Sequence, residues 1–307
     1  MTKNPVVLIA LGGNALIQKG QEGTAEQQLN NMKHAMGVIA KLARDYRVVI
    51  THGNGPQVGN LLLQQESTKE VPLMPLDVIG AMTQGQIGYM IESSLDTALA
   101  DAGLDRHFIT VLTFTEVDPN DPLFQNPTKP IGPFYTEEEA AKRPYRMVKT
   151  DKGPRRVVAS PRPTGITQHR EIKQLVDQDY IVICTGGGGI PVVREGHSFR
   201  GMEAVIDKDL ASSKVAEMIN ADLFVVATDV KGASIHWGKP EQQLLSKVTL
   251  DDMKRYFKEG HFPPGSMGPK VDAMISFVGA TGNRALICHL DDIEKAIAGQ
   301  AGTEVVR

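Results

Sequence analysis

Val6 to Leu11 (VVLIAL) is an unbroken apolar run. A run without polar alternation reads as a strand buried on both faces, the mark of a parallel sheet covered by helices. From Ala25 to Tyr46 the apolar positions fall at Leu29, Met32, Met36, Ile39 and Ala43. Those steps of three and four residues make a helical stripe. Arg47 to Thr51 (RVVIT) predicts the next buried strand. Gln86 to Ala102 predicts a helix closed by Gly103, where a left-handed cap is favoured, and Phe108 to Val117 a third strand.

The pattern breaks between Asp118 and Pro163. That stretch holds half of the 18 prolines: Pro119, Pro122, Pro127, Pro130, Pro133, Pro144, Pro154, Pro161 and Pro163. Such density forbids a core helix or central strand, and a structureless loop of this length is foreign to a compact domain. A small protruding subdomain is expected, with a short strand at Arg155 to Ser160. Alternation then resumes, with helices near Glu171–Gln178, Lys208–Asn220, Thr249–Glu259, Met267–Val278 and Asp291–Ala298. Strands are expected at Tyr180–Thr185, Leu223–Thr228 and Ala285–Cys288. The class is α/β, with halves at 1–117 and 164–307 flanking the insertion 118–163.

Composition narrows the function. Lys+Arg 33 against Asp+Glu 36 leaves a net charge of −3, unlike the basic surface of a polyanion binder. Cys184 and Cys288 sit in apolar runs; they read as small buried hydrophobes in a reducing compartment. No stretch reaches the ~18 apolar residues of a membrane span, and the N-terminus is too short for a signal core, so a cytoplasmic protein is expected. Glycine is in surplus, 30 of 307 residues, about 10% against a usual ~7%.

Familiar nucleotide motifs are missing. The only Gly-Lys pair, Gly238-Lys239, precedes Pro240, so there is no P-loop. TGGGGIP (185–191) has Pro191 where a dinucleotide fingerprint needs glycine, and no helical pattern follows. The eight histidines lack zinc spacing. What recurs is glycine where buried strands end: Gly12-Gly13-Asn14, Gly53-Asn54-Gly55, Gly186 to Gly189, and Gly232 beyond Asp229. Each alone reads as a tight turn. Together they fall at the carboxyl edge of one sheet, where open α/β sheets bind ligands and backbone N–H groups meet anions. Lys208 and Lys270 begin predicted helices, an unfavourable place for a cation unless an anion shares it. Ser266 is a candidate cap for the second of these helices. Lys129 is framed by Pro127 and Pro130. Glycine amides and lysines without a base or nucleophile suit phosphoryl transfer, which asks mainly for positioning and charge neutralisation.

These blocks resemble the carbamate kinases of the amino-acid kinase superfamily. The matching segments are ALGGNAL (10–16), THGNGPQVGNLLLQ (51–64), AMTQGQIGY (81–89), NPTKPIGPF (126–134), GGGGIPVV (186–193), EAVIDKDLAS (203–212) and GHFPPGSMGPK (260–270). They run in order over essentially the whole chain, and PTKPIG with VIDKD is the more specific pair. The resemblance implies a single αβα sandwich around a mainly parallel sheet, a homodimer, and ATP/ADP with Mg²⁺. The implied substrates are carbamate and carbamoyl phosphate. It implies that Gly12, Gly13, Asn14, Gly53 and Asn54 line the acceptor and phosphoryl site. Lys129, Lys208, Asp209 and Lys270 would be catalytic, with Lys270 also on the nucleotide phosphates. Thr228, Asp229, Gly265, Ser266 and Met267 would line the nucleotide pocket. No metal ligand is implied by residue. One departure stands out: the family's Gly-Arg-Gly-aromatic-Arg-Arg reads Asp151-Lys152-Gly153-Pro154-Arg155-Arg156 here, which bears on the shape of the insertion. A sister kinase for another small acid and a silent nucleotide-binding paralogue remain as alternative readings.

Overall fold

The computed structural model describes residues 3–307. The first half runs β1 (Val6–Leu11), α1 (Ala25–Leu42), β2 (Arg47–His52), α2 (Gly55–Glu66), α3 (Leu76–Asp101), β3 (Phe108–Thr110) and β4 (Phe114–Val117). The proline-rich stretch follows with β5 (Lys129–Ile131), α4 (Glu137–Ala141), β6 (Met147–Thr150) and β7 (Gly153–Val158). Then come β8 (Pro163–Ile166), α5 (His169–Asp177), β9 (Ile181–Ile183), β10 (Ile190–Glu195), β11 (Ser198–Gly201), α6 (Lys208–Met218) and β12 (Leu223–Thr228). The remainder is β13 (Ser234–Ile235), β14 (Gln243–Leu244), β15 (Lys247–Thr249), α7 (Leu250–Lys258), α8 (Met267–Thr281), β16 (Arg284–His289), α9 (Ile293–Ile297) and β17 (Thr303–Val306).

Eight strands form the main sheet in the order β15-β17-β16-β12-β1-β2-β9-β3. Its central strands are parallel, and only β17 opposes its neighbour β16. Successive residues of β1 point to opposite faces, so one strand feeds two cores. Leu8 and Ala10 join Ile172 of α5, Val215 of α6 and Phe277 of α8 on one face. Val7, Ile9 and Leu11 join Met32 and Met36 of α1, Ile91 of α3 and Ile293 of α9 on the other. This is the expected αβα sandwich.

A second sheet, β11-β10-β4-β8, stands beside the first. The expected single strand Phe108–Val117 is therefore two strands: β3 stays in the main sheet and β4 leaves it. The chain from β9 to β10 makes the same departure alongside it. Thr113 ties the two crossings together, its hydroxyl accepting from Thr185 N at 3.0 Å and its carbonyl from Ile190 N at 2.9 Å. Gln84 of α3 clamps Thr113 through both N–H (2.9 Å) and C=O (3.1 Å).

Within 118–163, β5-β7-β6 form a small sheet of their own. It rests on α2 and α3 through Val58, Leu62, Leu76, Ile79, Ile131 and Val158. Pro154 sits in β7, and its carbonyl accepts from Tyr135 N at 2.9 Å, so the altered segment is absorbed as a strand. Several bounds differ from expectation. α1 stops at Leu42, and α3 starts at Leu76, ten residues before the expected Gln86. The chain also holds helix α2 and the strand β17, which the pattern did not predict.

Candidate active site

β1, β2 and β12 are neighbours in the main sheet, and the chain leaves β1 toward both sides. Their carboxyl ends make the topological switch point where ligands bind. Gly12 follows β1 with its N–H on Ala227 O at 3.0 Å. A Cβ there would lie 3.1 Å from that oxygen, so glycine is favoured by close approach rather than by dihedral. Gly13 and Asn14 are exposed in the turn that follows. Gly53 follows β2, and a Cβ on it would meet the Lys208 stem at 3.5 Å and Gly13 N at 3.8 Å. The two strand ends and Lys208 therefore share one small space.

Two helices aim their first turns at this space. Asp207 caps α6 by accepting from Asp209 N at 3.0 Å. Ser212, one turn on, donates to Lys208 O and meets Thr51 of β2, each at 2.6 Å, fixing the start of α6 to the sheet. Lys270 lies in the first turn of α8. Asp209 is 3% exposed and holds both lysines: Lys208 Nζ donates to Oδ1 at 2.6 Å and Lys270 Nζ to Oδ2 at 2.9 Å. Burial alone would raise the Asp209 carboxyl, but the two ammonium groups outweigh it and hold it below the ordinary carboxylate range. Burial also lowers Lys208, against Asp209's charge, and the nearby Lys270 adds to the lowering. Lys129 reaches in from β5 and meets Asp207 Oδ2 at 3.2 Å.

Two cavities flank the lysines. One of about 280 Å³ is lined by Thr228, Asp229, Gly265, Ser266, Met267 and Lys270, all six singled out from the sequence. Val230, Ser234, Trp237 and Pro263 complete its wall; a lone tryptophan gave no pattern by which to find it. Ser266 does not cap α8. Its hydroxyl turns back to Pro263 O at 3.4 Å, leaving the helix start without a side-chain cap. The other cavity, about 120 Å³, lies between Asn54, Lys129, Arg155 and the 187–189 turn. Asn54 lines it, but its amide donates to Thr83 of α3 at 2.9 Å. Asn14 lies apart from this cavity. It lines a 390 Å³ cavity with Gly12, Thr228, Asp229 and His34. A further cavity of 670 Å³ lies beneath the small sheet; Arg156 pairs with Glu203 there and Glu66 with Arg143, while Arg146 donates to Gln125 O at 3.0 Å.

The Gly186–Gly189 run corrects the sequence reading. All four are buried, and the run is glycine mainly because the protein packs against itself there. Gly187 has φ +65°, and a Cβ on it would fall 2.0 Å from the Asn54 amide nitrogen. A Cβ on Gly186 would fall 2.4 Å from His52 Nε2 and one on Gly189 2.1 Å from Thr115 Oγ1. Gly232 is likewise packed, against Thr303. Burial pushes the His52 imidazole down to about 4, with Lys208's charge helping and the Gly53 carbonyl opposing.

Residues 5–289 match the amino acid kinase family. The chain belongs to that family. It is 52% identical to the carbamate kinase of Thermococcus kodakarensis, over 98% of this chain and 99% of that one. Identity to the Pyrococcus furiosus carbamate kinase is 50%, over 98% of each. The carbamate kinase from Giardia lamblia, solved bound to AMP-PNP, superposes with a TM-score of 0.94 at 43% identity, covering 100% of this chain and 99% of that one. The chain is a kinase of the carbamate kinase type. Thermoplasma acidophilum isopentenyl phosphate kinase, at 15% identity and a TM-score of 0.52, shares the fold. Cys184 and Cys288 are buried, and no helix among the described residues is long and apolar enough to cross a membrane.

Proposed function

We propose that the chain catalyses ATP + carbamate ⇌ ADP + carbamoyl phosphate. The observation that carries this reading is the Lys208–Asp209–Lys270 cluster at the strand ends, beside the 280 Å³ cavity that Lys270 lines. In the direction of ATP formation, a terminal ADP oxygen attacks phosphorus. The bond from phosphorus to the carbamoyl oxygen breaks, and carbamate leaves. Negative charge spreads over the equatorial oxygens, and fixed cations in a dry site stabilise it without reorganising.

Lys208 sits on the transferring phosphoryl group and Lys270 on the nucleotide phosphates. Asp209 keeps their ammonium groups apart and aimed. Gly12, Gly13, Gly53 and Asn54 line the acceptor and phosphoryl space, where backbone N–H groups donate, while Asn14 stands on the Thr228–Asp229 side of the strand ends. Lys129 covers the acceptor from the small sheet, which with residues 118–163 acts as a lid over the acceptor half (1–117) and excludes water. Thr228, Asp229, Gly265, Ser266 and Met267, from the nucleotide half (164–307), hold ATP or ADP. Among the described residues no group of three His, Cys, Asp or Glu is arranged to hold a metal. Asp229, on the wall of the nucleotide cavity, is the carboxylate that would help hold Mg²⁺ delivered with the nucleotide phosphates.

Val78, Met82 and Tyr89 of α3 are exposed, and so are Ile109 and Leu112 beside the edge strand β3. An apolar face beside an open strand edge favours a second copy of the chain, and the protein acts as a cytoplasmic homodimer. Light scattering checks the mass. The decisive assay couples ATP formation from ADP and carbamoyl phosphate, with and without Mg²⁺, to an acceptor screen with ATP. Preference for acetylglutamate, aspartate or UMP over carbamate would overturn the reading. Nucleotide binding without turnover would favour a silent paralogue.

A further inference from the structure

Asp207 does two jobs with one carboxylate. Oδ1 accepts from Asp209 N and so starts α6. Oδ2 receives Lys129 Nζ from the small sheet at 3.2 Å. The helix cap needs only an oxygen; Asn and Ser serve as well as Asp. The second contact needs the charge.

The backbone builds this pairing rather than leaving it to two flexible side chains. Lys129 is opposite Val158 across β5 and β7. The next residue, Ala159, bridges Ala204 in parallel and accepts from Val205 N at 3.0 Å. The small sheet is thus laced to the segment that ends at Asp207, and Lys129 and Asp207 emerge on the same side of that lacing. Pro127 and Pro130 stiffen the Lys129 stem, and Ile131 anchors it among Val58, Leu62 and Leu76. The pair is only partly shielded, the Lys129 side chain being 34% and the Asp207 side chain 14% exposed. An anion entering the 120 Å³ cavity that Lys129 lines can therefore draw the ammonium group away.

We propose that Asp207 is a positioning residue. Before substrate arrives it parks Lys129 of the lid beside the acceptor cavity, and it links the lid to the helix that carries Lys208 and Asp209. The part concerning catalysis rests on the kinase reading above; the part concerning the lid does not. Once an anionic acceptor is bound it takes over Lys129, so loss of Asp207 lowers the population of the binding-competent arrangement more than the rate at saturation. Apparent affinity falls by that population.

The test is Asp207→Asn, which keeps the cap and removes the charge, with Asp207→Ala to expose the cost of losing both. In the enzyme without substrate, amide exchange at residues 129, 131 and 156–158 should quicken about tenfold in Asp207→Asn, while the midpoint of thermal unfolding stays within ~2 °C of wild type. With substrate, KM for carbamoyl phosphate should rise about tenfold and kcat fall less than about threefold. Lys129→Met should quicken lid exchange to the same extent, and adding Asp207→Asn to it should quicken it no further. Unchanged lid exchange in Asp207→Asn overturns the proposal. So does a kcat loss of a hundredfold at unchanged KM, which would place Asp207 on the reacting groups. An unfolding midpoint as low as that of Asp207→Ala would overturn it too, by making the residue structural. If the wild-type enzyme makes no ATP from carbamoyl phosphate, the kinase reading fails while the exchange measurements still decide the latch.

Discussion

At the strand ends the molecule sets lysine against aspartate twice, on very different mountings. Asp209 holds Lys208 and Lys270 from two helices that pack on the main sheet, backed by Val215, Phe224 and Phe277. Asp207 holds Lys129 from a small sheet backed by six buried apolar side chains and flanked by cation–π stacking, Arg155 over Phe134 and Arg156 over Tyr145. The first arrangement is almost closed to water and the second is not. A deep core fixes cations before the reaction, which is what electrostatic stabilisation of a transition state requires. A thin core allows the third cation to leave and return, as entry of a substrate requires.

The largest effect should come from the buried side of this contrast. Asp209→Asn leaves two buried ammonium groups facing each other and should cost about 3 kcal/mol or more of stability, read by urea unfolding; a loss below about 1 kcal/mol would mean the cluster is not held by charge. Lys208→Ala should lower kcat at least ~10²-fold, the scale of one transition-state donor, and near-normal turnover would remove Lys208 from the mechanism. The pH profile should separate the groups next. Because Lys208's pKa is lowered in the ligand-free protein, the alkaline limb of kcat/KM should fall below the ordinary lysine value of about 10.4. On the acid side, Asp209's folded pKa is depressed, so its stabilising contribution is complete above ~3.9 and is lost only as pH falls through its lower folded value. His52 is depressed to about 4, so its contribution fades earlier, from its unfolded value of ~6.5 downward. Acid loosening should therefore begin at His52, and thermal unfolding followed from pH 7 to 4 should show a slope that His52→Asn flattens. The smallest effect is ionic. Raising salt from about 0.1 to 1 M shortens the screening length from about 10 to 3 Å. Exchange at residues 129 and 131 should quicken a few-fold while the first turn of α6 is unmoved; equal responses would erase the contrast.

What the sequence reveals follows the same division. Strands β1, β2 and β12 are continuous apolar runs because both faces are covered, so their pattern survives reading at sight. β5, β6 and β11 are short and at least partly exposed, and β10, though mostly buried, opens on Ile190-Pro191 straight after a glycine run, so pattern alone does not mark them. α2 buries only Gln57, Val58 and Leu62, and its start is hidden in HGNGPQVGN, which reads as loop. Lys208 and Lys270 were legible because cations at helix starts are electrostatically odd, whereas Asp209 entered only through the family resemblance. Asp207 was not, since an aspartate before a helix is already explained as a cap. The 186–189 run misled in the opposite sense. Glycine at a strand end looks alike whether it admits a ligand or the amide of Asn54, and only the neighbours tell the two apart.

The paired crossings at Thr113 and Thr185 have a mechanical side. A sheet joined to its neighbour by one strand can swivel about that strand as about an axle. Here two parallel strands step across together, riveted by Thr113 and clamped by Gln84, and such a strap resists torsion. A load applied to the β10–β11 hairpin is passed on as a rigid lever and is not dissipated by backbone rotation. Of the two smaller sheets that border the active site, β5-β7-β6 lacks such a strap and is tied across by the Ala159–Ala204 bridge, so compliance is concentrated there.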